Sequence, residues 1–147
     1  MKLLVFHIGA DRYGLPLRDV VRVLPLLELK QLPLSPDPVA GLMDFHGQSV
    51  PVIDLCRASG LPPGPDHFDT RIIVVDYHAP DSGTHLLGLR AEGVAGVQEV
   101  NEAQLRDSGV QGAPFLGQVA GGEPGMLQLV ELAQLLSAPL RATLFQA

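Results

Sequence analysis

The side chains able to do chemistry are few and scattered. Five histidines, His7, His46, His67, His78 and His85, stand along the chain without an HExxH pattern or any close ligand spacing. His78 and His85 flank the turn 79–83 and could face each other across a hairpin, with Asp76 nearby. A metal at that point competes with the plainer account of polar residues on an edge strand. Cys56, the single cysteine, follows Asp54 by two residues. A nucleophilic thiol needs a positioned base, and no Cys–His arrangement is written into the sequence, so a buried structural thiol is the expectation. Asp44, Asp54, Asp69 and Asp76 stand at predicted strand ends. They could form a carboxylate pair for acid–base work, but strand-end acids are common to β proteins. No Gly-Lys-Ser/Thr occurs, and the Gly-rich stretch 117–125 lacks the strand–helix frame of a phosphate loop, so it reads as a turn.

The elements that would position these groups are short strands. Residues 3–8 form an apolar run closed by Gly9-Ala10-Asp11-Arg12, a strand and a turn. Residues 13–16 resume an extended course. Residues 17–23 start as one helical turn, with Asp19 in it, and become the strand Val20-Val21-Arg22-Val23. Pro25, Pro33, Pro36 and Pro38 then break any helix up to residue 39. Residues 41–55 read as a hairpin with His46-Gly47 at its tip, where Gly47 supplies a positive φ. The Pro-rich stretch 61–69 is a surface loop between halves. Residues 71–78 and 85–89 form a strand pair, and 94–100 a further strand with Gly93 and Gly96 marking a bulge. Residues 102–105 form one helical turn. Residues 115–120 and 126–130 form a hairpin across Gly121–Gly125. A short helix over 130–136 and a second over 140–145 close the chain, the latter capped by Ser137 with Pro139 in its first turn.

Strands at this spacing, joined by Gly/Pro turns, predict an all-β barrel or sandwich; strand–helix alternation for a parallel sheet is absent. The length of 147 residues suits one domain or two intimately packed halves. An apolar fraction of 46% built from Leu, Val and Ile is ample for a core, and the low charged fraction of 18% leaves room for an apolar partner surface. The net charge of −6 with only Lys2 and Lys30 as lysines argues against a small-barrel nucleic-acid binder and against binding to anionic lipid. A lone cysteine excludes an internal disulfide and a CxxC site. Residues 1–8 read as a first strand and not a leader, and no apolar run reaches membrane-spanning length. The expectation is a cytoplasmic protein without direct membrane insertion, cofactor, metal or catalytic residue; an enzyme of another type is the distant alternative.

Several stretches, in order, resemble the CheW family. They begin with Leu4-Val5-Phe6-His7-Ile8-Gly9, Tyr13-Gly14-Leu15-Pro16-Leu17, Val20 and Val23-Leu24-Pro25. The run 38–47 followed by Val50-Pro51-Val52-Ile53-Asp54-Leu55 is similar to the family signature, a Gly-Leu-x-Asn-Leu-Arg-Gly turn followed by Val-Pro-Val-Ile-Asp-Leu. Residues 70–75, Leu87-Gly88-Leu89, Glu92-Gly93-Val94, Val97 and Phe115-Leu116-Gly117 continue the series. The resemblance implies an all-β fold of two packed five-stranded SH3-like β-barrels with short C-terminal helices, and one CheW-like domain over 1–147 made of two intertwined barrel subdomains. It implies a non-catalytic adaptor, recruited to membrane-associated receptor arrays. The partners would be the regulatory domain of a CheA-type histidine kinase and the cytoplasmic tip of a methyl-accepting chemoreceptor.

By position in that family, Leu17, Val20, Arg22 and His46 would face the receptor and Arg106 the kinase, while Gly41 and Gly47 bracket a structural turn. Leu17 and Val20 could instead pack in the core; Pro16, Arg18 and Asp19 place the stretch near solvent and favour the surface. Two departures stand out. Asp44-Phe45-His46-Gly47 replaces Asn-Leu-Arg-Gly, removing a fixed cation, and Arg22 stands where an acid is common. The segment from Gly125-Met126-Leu127 through Leu140-Arg141-Ala142-Thr143-Leu144-Phe145 resembles adaptors of Wsp-type surface-sensing pathways, whose output is cyclic-di-GMP synthesis. Conventional coupling to flagellar motility is the alternative.

Overall fold

A computed structural model describes residues 1–80, 83–122 and 125–145. Among the described residues nine strands carry the fold: β1 (Lys2–Ile8), β2 (Asp11–Pro16), β3 (Val20–Pro25), β4 (Val39–Phe45), β5 (Gln48–Asp54), β6 (Arg71–Ala79), β7 (Gly83–Glu99), β8 (Leu116–Ala120) and β9 (Leu127–Val130). Two short helices, α1 (Leu55–Ala58) and α2 (Ala138–Leu144), and three 3-10 turns at Leu17–Asp19, Glu102–Gln104 and Leu132–Gln134 complete it. Ser137 accepts from the Leu140 amide and caps α2, with proline in the first turn.

The pairing divides into two five-stranded units that share one strand. β8, β9, β2 and β1 run in order to the C-terminal half of β7; β3, β6, the N-terminal half of β7, β5 and β4 make the other unit. These are the two packed SH3-like barrels of an all-β protein. The sequence suggested separate strands over 85–89 and 94–100. They are one strand of 17 residues, and the irregularity expected at its glycines appears as a register shift against β1 between Val5 and His7. A continuous strand lets one chain segment hydrogen-bond into both units, which a break would forbid.

Burial follows strand alternation. On β1, Leu3 and Val5 point into a small core with Val100, Ala120 and Leu127, whereas Leu4, Phe6 and Ile8 point the opposite way. On β6, Ile72 and Val74 join Met43, Val50 and Val52 in a second small core, while Ile73, Val75 and Tyr77 point away. The residues pointing away meet in the largest cluster, with Leu15, Ile53, Leu87, Leu89, Phe115, Val130 and Leu132. Each unit thus has a private core, and the two are glued by a shared layer. Central strands buried on both faces must be apolar at nearly every position, which explains the unbroken runs at 3–6 and 72–75.

Two positions depart from the sequence reading. Gly41 does not belong to a turn: it lies within β4, where the register shifts against β5. A Cβ there would come 2.6 Å from the Lys30 carbonyl oxygen, and Lys30 and Leu42 exchange backbone hydrogen bonds of 2.8 and 2.9 Å at this point. Glycine is needed for the close approach of segment 26–31. The tip of the β4–β5 hairpin is a two-residue loop of His46 (φ 53°) and Gly47 (φ 84°), both left-handed, the geometry that matches the twist of paired strands. Asp44 Oδ1 accepts from the Gly47 amide at 2.8 Å and fixes the turn.

Candidate partner-binding surfaces

The histidines do not converge among the described residues. His78 and His85 do not face each other, because β6 pairs with β7 so that Tyr77 opposes His85 and His78 opposes Thr84. Adjacent strand residues point to opposite faces. His78 Nδ1 lies 2.9 Å from Thr84 Oγ1, His85 stacks on Phe145 with ring centroids 4.3 Å apart, and His7 Nδ1 sits 3.2 Å from the Gly93 carbonyl oxygen. Among the described residues no three His, Cys, Asp or Glu side chains group as metal ligands would. Cys56 is buried, and burial, then the charges of Glu92 and Asp54, push its thiol up from the ordinary value, away from the reactive thiolate. Tyr13 is likewise raised, by burial and then by Asp11.

The strand-end acids separate by environment. Asp54 is 2% exposed; its Oδ1 accepts from the Cys56 and Arg57 amides, capping α1, and its Oδ2 meets Arg90 at 3.4 Å. Arg90 is itself buried and reaches Asp66 at 2.7 Å and the Gly64 carbonyl at 3.3 Å. The sequence reading missed Arg90. The available signal was a charge directly after an apolar run in each of two strands, Asp54 after 50–53 and Arg90 after 86–89, since charges at buried positions need a partner.

The surfaces are more informative than the interior. β3 forms an edge of its sheet, and Leu17, Val21 and Val23 stand 36, 44 and 40% exposed there with Arg22 exposed between them. Val20 does not join them: it is half-buried against the shared layer. The bulge between Val20 and Arg22 shifts the alternation, so Val21, Arg22 and Val23 all lie outward. His46 is exposed at the tip of the β4–β5 hairpin, its ring edge-on to Phe45 at 4.5 Å. The Asp44 carboxylate serves the Gly47 amide there. β3 and β4 are the two ends of the same sheet, and Leu24 and Phe45 pack on the same small core, so the sheet curls to bring both ends around it.

Arg106 belongs to the other barrel. Its backbone exchanges hydrogen bonds with Val119 at 3.0 and 2.8 Å, pinning the segment after the Glu102–Gln104 turn onto β8. Its side chain is exposed and is in no ion pair among the described residues. The residues suggested by the sequence therefore fall on two surfaces, Leu17, Arg22 and His46 on one barrel and Arg106 on the other.

A domain model described as "CheW-like domain" matches residues 2–140. The chain is 23% identical over 141 residues to a chemotaxis protein CheW of Klebsiella aerogenes, covering 93% of this chain and 82% of that protein. A chemotaxis protein CheW of Helicobacter pylori is 25% identical over 83 residues, covering 56% of this chain and half of that protein. The crystal structure of the scaffolding protein TtCheW from Thermoanaerobacter tengcongensis superposes with a TM-score of 0.82 at 24% identity, over 95% of this chain and 89% of that one. With a match across nearly its whole length and the same two-barrel fold, the chain belongs to the CheW-like domain family.

Proposed function

We propose that this chain is a non-catalytic adaptor that couples the cytoplasmic tip of a methyl-accepting chemoreceptor to the regulatory domain of a CheA-type histidine kinase. The observation that carries the reading is the family match over residues 2–140, on a fold that presents two outer surfaces on different barrels. A coupling protein must hold two partners at once, and separate barrels allow both to dock without competing. On the first surface Leu17, Arg22 and His46 contact the receptor, joined by Val21 and Val23, with Val20 supporting the strand from beneath. Arg106 contacts the kinase; arginine is enriched among interface anchors. The chain acts as one unit of two intertwined barrels, because β7 contributes to both, and it is recruited from the cytoplasm to receptor arrays. Purified protein mixed with a CheA-type kinase core should co-elute from a sizing column. Separate elution, with both partners folded, would count against the adaptor reading.

The output of the pathway divides two narrower readings. The C-terminal segment and the refitted turn Asp44-Phe45-His46-Gly47 favour a Wsp-type system controlling cyclic-di-GMP. The names of the two relatives favour chemotaxis. Deleting the gene and measuring both swimming and cyclic-di-GMP decides: a change in cyclic-di-GMP with normal swimming supports the first, the reverse the second.

A further inference from the structure

The mouth of the β3–β6–β7–β5–β4 barrel is a cavity of about 300 Å³ that neither docking surface uses. Its floor is the buried Asp54–Arg90 pair, carried side by side on the parallel strands β5 and β7. Leu26, Leu27, Leu29 and Ala40 give it an aliphatic side beside the Gln31 amide, and Arg57 and the Pro63–Asp66 segment also line it.

The charges in this cavity are unevenly satisfied. Arg90 is paired twice, once by buried Asp54 and once by Asp66, whose side chain is 75% exposed. Arg57 has no carboxylate in range among the described residues; one of its guanidinium nitrogens lies 3.4 Å from each of the Asp37 and Val39 carbonyl oxygens, the long limit of a hydrogen bond. Asp66 is thus a solvent-exposed carboxylate lent by a loop to a buried guanidinium, with a second guanidinium beside the same space. The loop that lends it closes at a penalty. Gly64 sits so close over Glu92 that a Cβ would overlap its carboxylate, and Glu92 Oε1 is buried with no hydrogen-bond partner among the described residues. Opening the 61–66 segment would hydrate that oxygen, and an unsatisfied buried acceptor favours opening.

We propose that this barrel mouth is a seat for a single carboxylate borne on an aliphatic stem, held by Arg90 and Arg57 against the leucine wall, and that Asp66 is the internal carboxylate occupying it until displaced. Guanidinium is suited to carboxylate through its planar donor fork, and the aliphatic wall selects against a bare, strongly hydrated anion. The carboxylate could come from a free short-chain acid or from an acidic side chain flanked by aliphatic residues, the same chemistry in two settings.

The test follows the side-chain Nε–H signals of Arg57 and Arg90 by NMR during titration with butyrate, with butyramide as the neutral control. In Asp66→Asn, butyrate should move both signals at about tenfold lower concentration than in the unmodified protein, the factor by which a seat nine-tenths occupied by its own Asp66 weakens apparent binding. Arg57→Gln, at the half-buried lining, should weaken binding about tenfold, as loss of a charge-assisted hydrogen bond does. Capped Leu-Glu-Leu tripeptide binding tighter than butyrate marks an acidic side chain as the source; butyrate binding tighter marks a free acid. Signals unmoved by butyrate in Asp66→Asn, equal movement by butyramide, or unchanged binding in Arg57→Gln would each overturn the proposal. Asp66→Asn is chosen because its side chain is exposed and the fold does not rest on it.

Discussion

The two barrels enclose different interiors although they share a strand. The barrel of β1, β2, β8 and β9 closes on Leu3, Val5, Val100, Ala120 and Leu127, all apolar. The barrel of β3, β4, β5 and β6 closes on Met43, Val50, Val52, Ile72 and Val74, and carries the buried Asp54–Arg90 pair at its mouth. Its outer edge also exposes a valine-rich strand, whereas the first barrel offers the exposed Arg106. The shared layer packs the barrels together, and each private core lies within its own barrel.

The shared layer is where this comparison breaks most violently. Phe6 is fully buried in it, and Phe6→Ala should lower stability by about 3–5 kcal/mol. Because β7 spans both units, urea unfolding followed by circular dichroism should still show one transition; two would mean that the barrels fold separately. Asp54→Ala tests the polar mouth of the second barrel. It removes the α1 cap and leaves Arg90 with only the exposed Asp66, for a loss of about 3 kcal/mol. Replacing the pair together, Asp54→Ala with Arg90→Leu, should recover part of that loss, since no buried charge remains uncompensated.

The β3 edge sharpens the distinction at single-residue resolution. Val20→Asp places a carboxylate against the shared layer and should destabilise by about 2 kcal/mol or more. Val21→Asp, one residue on but outward, should change stability by less than about 0.5 kcal/mol while weakening receptor-tip binding. Equal melting temperatures for the two variants would refute the inward placement of Val20. On the other barrel, Arg106→Glu should weaken kinase binding by about 2 kcal/mol with the melting temperature nearly unchanged, measured by calorimetric titration. The smallest effect concerns Cys56. Its thiol is raised in the folded state from the ordinary 9.0, so the unfolded chain releases that proton first as pH climbs. The contribution is intact below about pH 9 and fades above it. Cys56→Ala should flatten this alkaline part of the stability curve; an unchanged slope would place its cause elsewhere.

The sequence by itself determined the all-β class, most strand positions and the two-residue turn at His46-Gly47. Period-two burial, β-branched runs and Gly/Pro punctuation are local signals, and each acts within a few residues. The Ser137 cap with Pro139 was legible for the same reason. Ordered family motifs also named Leu17, Val20, Arg22, His46 and Arg106 as surface candidates, of which Val20 is half-buried against the shared layer. What only the tertiary structure decided depends on which strands become neighbours. The runs at 85–89 and 94–100 fuse because β7 finds one partner set in each barrel. Val20 turns inward and Val21 outward because a bulge against β6 resets the alternation. Gly41 is required by the Lys30 carbonyl, which arrives from a segment the strand pattern does not mark. Arg90 is tolerated in an apolar strand only because parallel pairing sets it beside Asp54. A buried charge is decided by its partner across the sheet, and strand order lies beyond the reach of local periodicity.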